Sequence, residues 1–290
     1  MSQEDLPPSV VGALRCSVCG DPVAPAGRSL RCPRRHSFDL AKQGYVNLLH
    51  AKVPAGTADT AEMVAARVEF LGAGHYAPMA DLVAAQAAGT TGLVVDAGAG
   101  TGYYLSRVLD ELPEATGLAL DVSALALRRA AKAHPRLGAA VWNLWAPWPV
   151  ATGSASLVLN VFAPRNGAEF HRVLESGGRL IVVSPQPGHL RELAAVVDLL
   201  DVDDRKEQRL DAALSAYFEP EDRFEQQQTV TLSPGDARRA VLMGPNAHHP
   251  ARLTRLAELT EPLAVTTAFL VSVYRRKDVT TPTGPGNPRR

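Results

Sequence analysis

Apolar positions recur along this chain with two periods, and the change from one to the other marks its plan. Between residues 60 and 71, Met63, Val64, Arg67, Phe70 and Leu71 fall at helical spacing, and Gly72-Ala73-Gly74 closes the run. A second helix is predicted from 75 to about 88, with Met79, Leu82 and Val83 on its inner face. At Leu93-Val94-Val95 the pattern becomes a continuous apolar run, as in a strand covered on both faces. Helical spacing then returns at Tyr104, Leu105, Val108 and Leu109. The alternation continues with strand 116–121, helix 123–133, strand 139–143, strand 157–162, helix 168–174, strand 179–184 and a long helix to about 200. Strands alternating with helices predict an α/β fold around a parallel sheet. Beyond it the pattern gives a short helix, a strand near 229–232, a helix over 234–243 and a last strand over 264–274. Residues 1–12 read as frayed, 51–59 as an aperiodic loop, and 279–290 as a polar tail of disordered composition.

The turn after the first core strand carries glycine at alternate positions behind an acid, Asp96-x-Gly98-x-Gly100-x-Gly102. A dinucleotide fingerprint would space its glycines as G-x-G-x-x-G. The order here resembles motif I of the class I S-adenosylmethionine (SAM) methyltransferases, a Rossmann-like fold. That resemblance implies SAM contacts from Asp96, Gly98, Gly100 and Thr101. It also implies an acid at the end of the next strand to hold the ribose hydroxyls, and Asp121 stands there. Asn143, ending the third strand, takes the position that usually meets the adenine. A glycine turn with no ligand is the blander reading, and two acids at this separation weigh against it.

Composition alters this picture only at the N-terminal end. The apolar fraction of 46% is that of an ordinary globular protein, and Lys plus Arg balance Asp plus Glu at 30 each. No apolar run reaches the length of about 18 residues that a membrane helix needs, and no basic-then-apolar leader opens the chain, so a soluble cytoplasmic protein with no membrane partner is expected. All three cysteines lie in the first 32 residues, as Cys16-x2-Cys19 and then Cys32-x3-His36. Four ligands at finger spacing predict a closed tetrahedral zinc site, Cys16, Cys19, Cys32 and His36, structural because no position is left open. Between residues 11 and 52 seven basic residues face two acids, a surplus of five in a neutral chain. Such a module suits phosphate contact, and a solvated knuckle is the alternative. The expected organisation is a zinc-binding, RNA-contacting module over 1–50, a methyltransferase domain over 51–278 and a tail over 279–290.

The flanks of the core carry a more specific likeness. The zinc knuckle is followed by Phe38-Asp39-x-Ala41-Lys42-x-Gly44-Tyr45-Val46-Asn47-Leu48-Leu49, then by Asp59-Thr60-x-Glu62-Met63-x-x-Ala66-Arg67 and Gly74-His75-Tyr76-x-Pro78. With Asn160-Val161-Phe162-Ala163-Pro164-Arg165-Asn166 and His189-Leu190, this resembles the 23S rRNA (guanine-N1)-methyltransferases, and the Asn160–Asn166 string sits nearer their macrolide-resistance branch. The resemblance implies Tyr76, Gly100, Thr101 and His189 as SAM contacts. It also implies a homodimer, and a guanine in the hairpin 35 loop of 23S rRNA as target. Each residue keeps a quieter reading: Tyr76 as a helix-end core residue, His189 as a satisfied ring, Phe162 as a core residue rather than a stacking platform. The 160–166 loop holds no acid to act as a base, so Asn160, Phe162, Arg165 and Asn166 are expected to bind the target base, and no catalytic base is assigned. A SAM enzyme of a small metabolite and a non-catalytic RNA-binding protein with a degenerate core are the alternatives in other classes.

Overall fold

The computed structural model describes residues 6–50, 59–197, 214–244 and 255–278. Its centre is an eight-stranded sheet. Five strands carry the α/β core: β5 (Gly92–Ala97), β6 (Ala115–Asp121), β7 (Leu137–Val141), β8 (Ala155–Val161) and β9 (Leu174–Pro185), all parallel. The chain winds outward from β5 through β6 to β7, then returns to lay β8 on the other side of β5, followed by β9. β11 (Leu263–Arg276) inserts antiparallel beside β9, and β10 (Phe218–Leu232) covers the edge of β11. Apart from one added strand, this is the sheet order and polarity of class I methyltransferases, as the glycine motif implies. The winding reverses between β5 and β8, and in open α/β sheets the ligand crevice forms beyond the carboxyl ends of the strands at that reversal.

Each face of the sheet buries its own apolar cluster. On one face pack α2 (Ala61–Gly72), α3 (Ala77–Gln86), α4 (Tyr103–Glu111), α5 (Ala124–Ala130) and α7 (Arg191–Val197), together with α8 (Pro234–Leu242). The other face is covered by α1 (Pro8–Ala13), α6 (Gly167–Val173) and the cysteine-bearing segment. The helix starts follow from their caps: Thr60 accepts from Met63 N at 3.2 Å, and Ser123 from Ala126 N at 3.2 Å.

Three expectations change. Residues 6–12 are not frayed: Val10 and Val11 of α1 are buried, and Leu6, Pro7 and Val10 press on β7 at Gly138. A polar, proline-bearing stretch hides this, because six residues are too few for helical periodicity to show. Secondly, β4 (Tyr45–Asn47), inside the segment expected as a separate module, pairs parallel with β7 and extends the main sheet. The ribbon of β1 (Ala24–Pro25), β2 (Ser29–Arg31) and β3 (Ser37–Asp39) stands apart as a three-stranded sheet, but Cys16, Cys32 and Phe38 share one buried cluster with Trp142 and Trp148. Thirdly, β10 runs 15 residues where only 229–232 are expected. Its Glu, Gln and Asp side chains lie on an edge strand that is mostly exposed, so apolar content could not reveal it. The outer part of the expected helix to 200, the loop 51–58 and the tail 279–290 lie outside the described residues. Among the described residues no helix is long and apolar enough to cross a membrane.

Candidate active site and metal centre

At the end of β5 the chain turns through three glycines with φ of +90°, +53° and +79° at Gly98, Gly100 and Gly102. At Gly98 both conformation and space require glycine, since a Cβ there would stand 2.3 Å from the Cβ of Ala163. Gly98 N and Ala99 N donate to Leu120 O at 2.8 and 3.1 Å, and Gly100 N donates to Asp121 Oδ2 at 2.9 Å. The ends of β5 and β6 are thereby tied together around the turn, with Thr101 buried inside it. Asp121 Oδ1 accepts from Ser123 N at 2.8 Å. Burial raises the Asp121 carboxyl above its ordinary range, although these two backbone bonds pull against it.

Asp96 is the exceptional group. It is 1% exposed, and neither carboxylate oxygen has a hydrogen-bond partner. Burial, aided by the charge of Asp121, pushes its pKa up to about 8. A buried acid without donors is costly unless a ligand supplies them, which suits Asp96 to binding a hydroxyl or ammonium group. Asn143, two residues beyond β7, accepts from Trp145 N through Oδ1 at 3.0 Å and so holds its loop.

Beside the end of β8 the aromatic residues form one cluster. Tyr76, 3% exposed, packs edge-on against Phe70 and Phe269 with ring centres 5.0 and 4.8 Å away. Its hydroxyl meets His189 Nε2 at 3.1 Å. His189 Nδ1 accepts from Ala268 N at 3.2 Å, which leaves the ring proton on Nε2, donating to the Tyr76 oxygen. The tyrosine proton is then directed away from His189. Burial lowers the His189 pKa to about 4, so this ring is neutral at physiological pH. Phe162 adopts φ of +53° and is 44% exposed, its ring 5.5 Å from Phe269 and 6.5 Å from Tyr76. A non-glycine residue held in this conformation is strained and marks a constrained site.

The other three residues expected to meet the target base are turned inward. Asn160 Nδ2 donates to Ala97 O at 3.1 Å and to Pro164 O at 3.0 Å, clamping the loop to the end of β5. Asn166 caps α6 by accepting from Glu169 N at 3.3 Å, and donates to Leu144 O at 3.0 Å. Arg165 reaches Ser184 Oγ at 2.8 Å, with its Nε buried and unpartnered. In this conformation the three brace the loop, and Phe162 alone presents its side chain outward.

Two further residues enter the site. Arg67 lies over the glycine turn, its Nη1 3.4 Å from the Cβ position of Gly100, and it pairs with Asp59 and donates to Met243 O at 2.5 Å. Tyr104, on the first turn of α4, lies near enough to Asp96 and Arg67 to interact with their charges, and burial pushes its hydroxyl well above the ordinary range. Both carry a helical spacing that reads as packing, which is why sequence alone assigns neither a role.

The metal centre is compact. The ligand atoms of Cys16, Cys19, Cys32 and His36 all lie within 4.8 Å of one another. His36 Nδ1 is 3.4 Å from the sulfurs of both Cys16 and Cys32, and Cys19 Sγ is 3.7 Å from Cys32 Sγ. A tetrahedron with ordinary zinc bond lengths has S···S edges of about 3.8 Å and S···N edges of about 3.6 Å, so the donor set fits zinc. Gly20 at φ +77° turns the first knuckle and Arg35 at +67° the second, with Gly20 N donating to Cys16 O and Arg35 N to Cys32 O.

Comparison with known proteins is consistent with both centres. A family model described as the RlmA N-terminal zinc ribbon matches residues 14–53. A Streptomyces fradiae protein named 23S rRNA (guanine(748)-N(1))-methyltransferase is 45% identical over 92% of this chain and 98% of its own length. The chain belongs to the 23S rRNA (guanine-N1)-methyltransferase family. A member from Micromonospora griseorubida is 48% identical over 92% of this chain and 99% of its own. Among solved structures, the YcgJ protein from Bacillus subtilis shares the fold with a TM-score of 0.51, at 15% identity over 69% of this chain and 98% of that one. Family membership therefore rests on sequence kinship along nearly the whole chain, and the distant structure speaks only for the α/β core.

Proposed function

We propose that this protein transfers a methyl group from SAM to N1 of a guanine in the hairpin 35 loop of 23S rRNA, as a cytoplasmic homodimer, with macrolide resistance as its role. The observation that carries the reading is the unsatisfied Asp96 carboxylate beside Asp121 at the sheet reversal, with the cluster of Tyr76, His189 and Phe162 beside the end of β8. Bound SAM supplies an electrophilic methyl on a sulfonium. The chain's own residues bind and orient it. Asp121 stands where ribose hydroxyls are held, Asn143 where the adenine lies, and Asp96 and Arg67 offer opposite charges to the zwitterionic methionine end. Gly98, Gly100 and Thr101 let the backbone approach. The Tyr76 hydroxyl proton is directed away from His189, whose Nε2–H already occupies the tyrosine oxygen.

The target base must bring N1 in line with the bond that breaks, so positioning dominates the chemistry. Phe162 offers an exposed ring face for a base extruded from an RNA loop, where unstacking is least expensive. Guanine N1 also gives up its proton, which passes to solvent water as the new N–CH3 bond replaces the sulfur–methyl bond; neutral His189 and the undissociated Tyr76 hydroxyl are hydrogen-bond donors rather than bases. The zinc ribbon contributes shape and charge and takes no part in transfer. The test is methyl transfer from labelled SAM to unmodified 23S rRNA, read by primer extension. N1 methylation blocks pairing, so a new stop at a hairpin 35 guanine is expected. Labelled RNA without that stop would reject the target.

Asp96 yields a second expectation. Its carboxyl titrates near 8 in the ligand-free protein, far above an unfolded aspartate. The free protein therefore holds a proton there at pH 7, and the folded state loses stability as pH rises toward 8. A cationic or hydroxyl-donating ligand favours the carboxylate, so SAM binding should release close to one proton at pH 7 and tighten as pH rises from 6 to 8. Calorimetry in buffers of different ionisation enthalpy measures this directly. Asp96→Asn should abolish the release, and an unchanged proton count in that variant would remove Asp96 from the site.

A further inference from the structure

We infer that a groove between α2, α5 and the turn before β4 binds the phosphodiester backbone of the RNA beside the cofactor cleft. The inference rests on the RNA reading above and places a contact that this reading does not contain. The groove has a volume of about 300 Å³. Arg128, Arg129 and Lys132 line it from α5 and the turn beyond and Gln43 from the ribbon side, while α2 and Leu125 give it an apolar floor. Among the described residues no carboxylate lines it. The acid of α2 nearest in sequence, Glu62, instead faces Arg238 at 3.9 Å.

The three cations are exposed, and among the described residues none has an ion pair or a side-chain hydrogen bond. Cations near a helix C-terminus are ordinary in themselves, since the dipole favours them. Here, however, Arg128, Arg129 and Lys132 bring three positive charges to one groove, where like charges repel. An anion between them reverses that repulsion. Gln43 adds an uncharged amide donor opposite, and its neighbour Lys42 continues the basic surplus of the ribbon. A phosphate fits this set of groups in charge and in donors.

Position ties the groove to the chemistry. A Cβ at Gly102 would lie 3.0 Å from Ala130 Cα and 3.4 Å from Ala133 Cβ, so the basic end of α5 backs directly onto the glycine turn. On α2, Val64 lines the groove and Arg67, three residues on, lies over Gly100. RNA held there runs from the zinc ribbon past the cofactor turn, at the seam where the two parts of the chain meet.

The test compares the wild-type protein with Arg128→Gln/Arg129→Gln/Lys132→Gln, and separately with Gln43→Glu, which leaves α5 untouched. Binding of an unmodified hairpin 35 RNA is measured against KCl concentration, with SAM affinity and zinc content as controls. In the triple variant the RNA Kd is expected to rise about 10- to 30-fold near 0.1 M salt, and the slope of log K against log salt to become shallower by about 2. SAM affinity and zinc content are expected to stay unchanged, and Gln43→Glu to weaken RNA binding several-fold. Wild-type affinity and slope in both variants would overturn the groove while leaving the RNA reading intact. Failure of the wild-type protein to bind this RNA would overturn both. Binding of inorganic phosphate that the triple variant loses, with RNA affinity unaltered, would also overturn it and make the groove a small-anion site.

Discussion

Replacing Cys32 by serine is expected to strip the metal from the ribbon and lower the melting temperature by on the order of 10 °C. The ribbon's strands are two or three residues long and cannot hold their own shape. In domains of that kind the metal supplies most of the folding free energy, about 10–16 kcal/mol for isolated zinc fingers. Cys32 and Cys16 are 4% and 2% exposed and pack in the same cluster as Trp142, Leu144 and Trp148. Loss of the ribbon therefore uncovers part of the sheet face. At roughly 2–4 °C per kcal/mol in a chain of this size, losing about 3–5 kcal/mol gives the stated fall. Because Leu144 also accepts from Asn166 and packs near Gly98, SAM affinity should fall with it. Metal analysis and scanning calorimetry decide the matter. Full zinc content at an unchanged melting temperature would show that Cys32 is not a ligand.

The second large effect is expected from Gly98→Ala. The new methyl group would lie 2.3 Å from the Ala163 Cβ, far inside the contact distance of about 3.5–4 Å. A φ of +90° adds strain of about 1–3 kcal/mol, and relief of the clash moves the turn or the 160–166 loop at a further cost of about 1–3 kcal/mol. Either movement displaces the backbone that must approach the cofactor. SAM affinity should fall by about 100-fold or more, since 1.4 kcal/mol is a factor of ten. Gly100→Ala is the built-in comparison. Its nearest neighbour is the flexible Arg67 guanidinium at 3.4 Å, and its φ of +53° is one that alanine reaches with less strain. A milder loss is expected there. Equal SAM affinities for Gly98→Ala and the wild type, measured by calorimetry, would mean that the turn does not carry the cofactor.

Much of this molecule was legible in its residues. The alternating periods placed the parallel core, because a buried strand must be apolar on both faces and a helix on one. The four zinc ligands were legible because finger spacing rarely arises otherwise, and the structure brings their donor atoms together. That Asp96 and Asp121 lie at the ends of two neighbouring strands was legible too, since each closes an apolar run. β10 was not, since an exposed edge strand needs no apolar side chains, and α1 was not, since one and a half turns carry no period.

What the sequence determined, then, was local: elements long enough to show a period, and ligands close enough in the chain to show a spacing. What only the tertiary structure decided was which side chains face the cleft. Asn160, Arg165 and Asn166 look like hydrogen-bond donors for a base, yet folding commits them to the carbonyls of Ala97, Pro164 and Leu144 and to Ser184. Arg67 and Tyr104 look like helix surface and helix core, yet folding sets them around the glycine turn and Asp96. The basic groove likewise joins Gln43 to Arg128, Arg129 and Lys132 across more than 80 positions of chain. A hydrogen bond or a shared cavity depends on distance in space, and no pattern along one chain encodes that for residues so far apart.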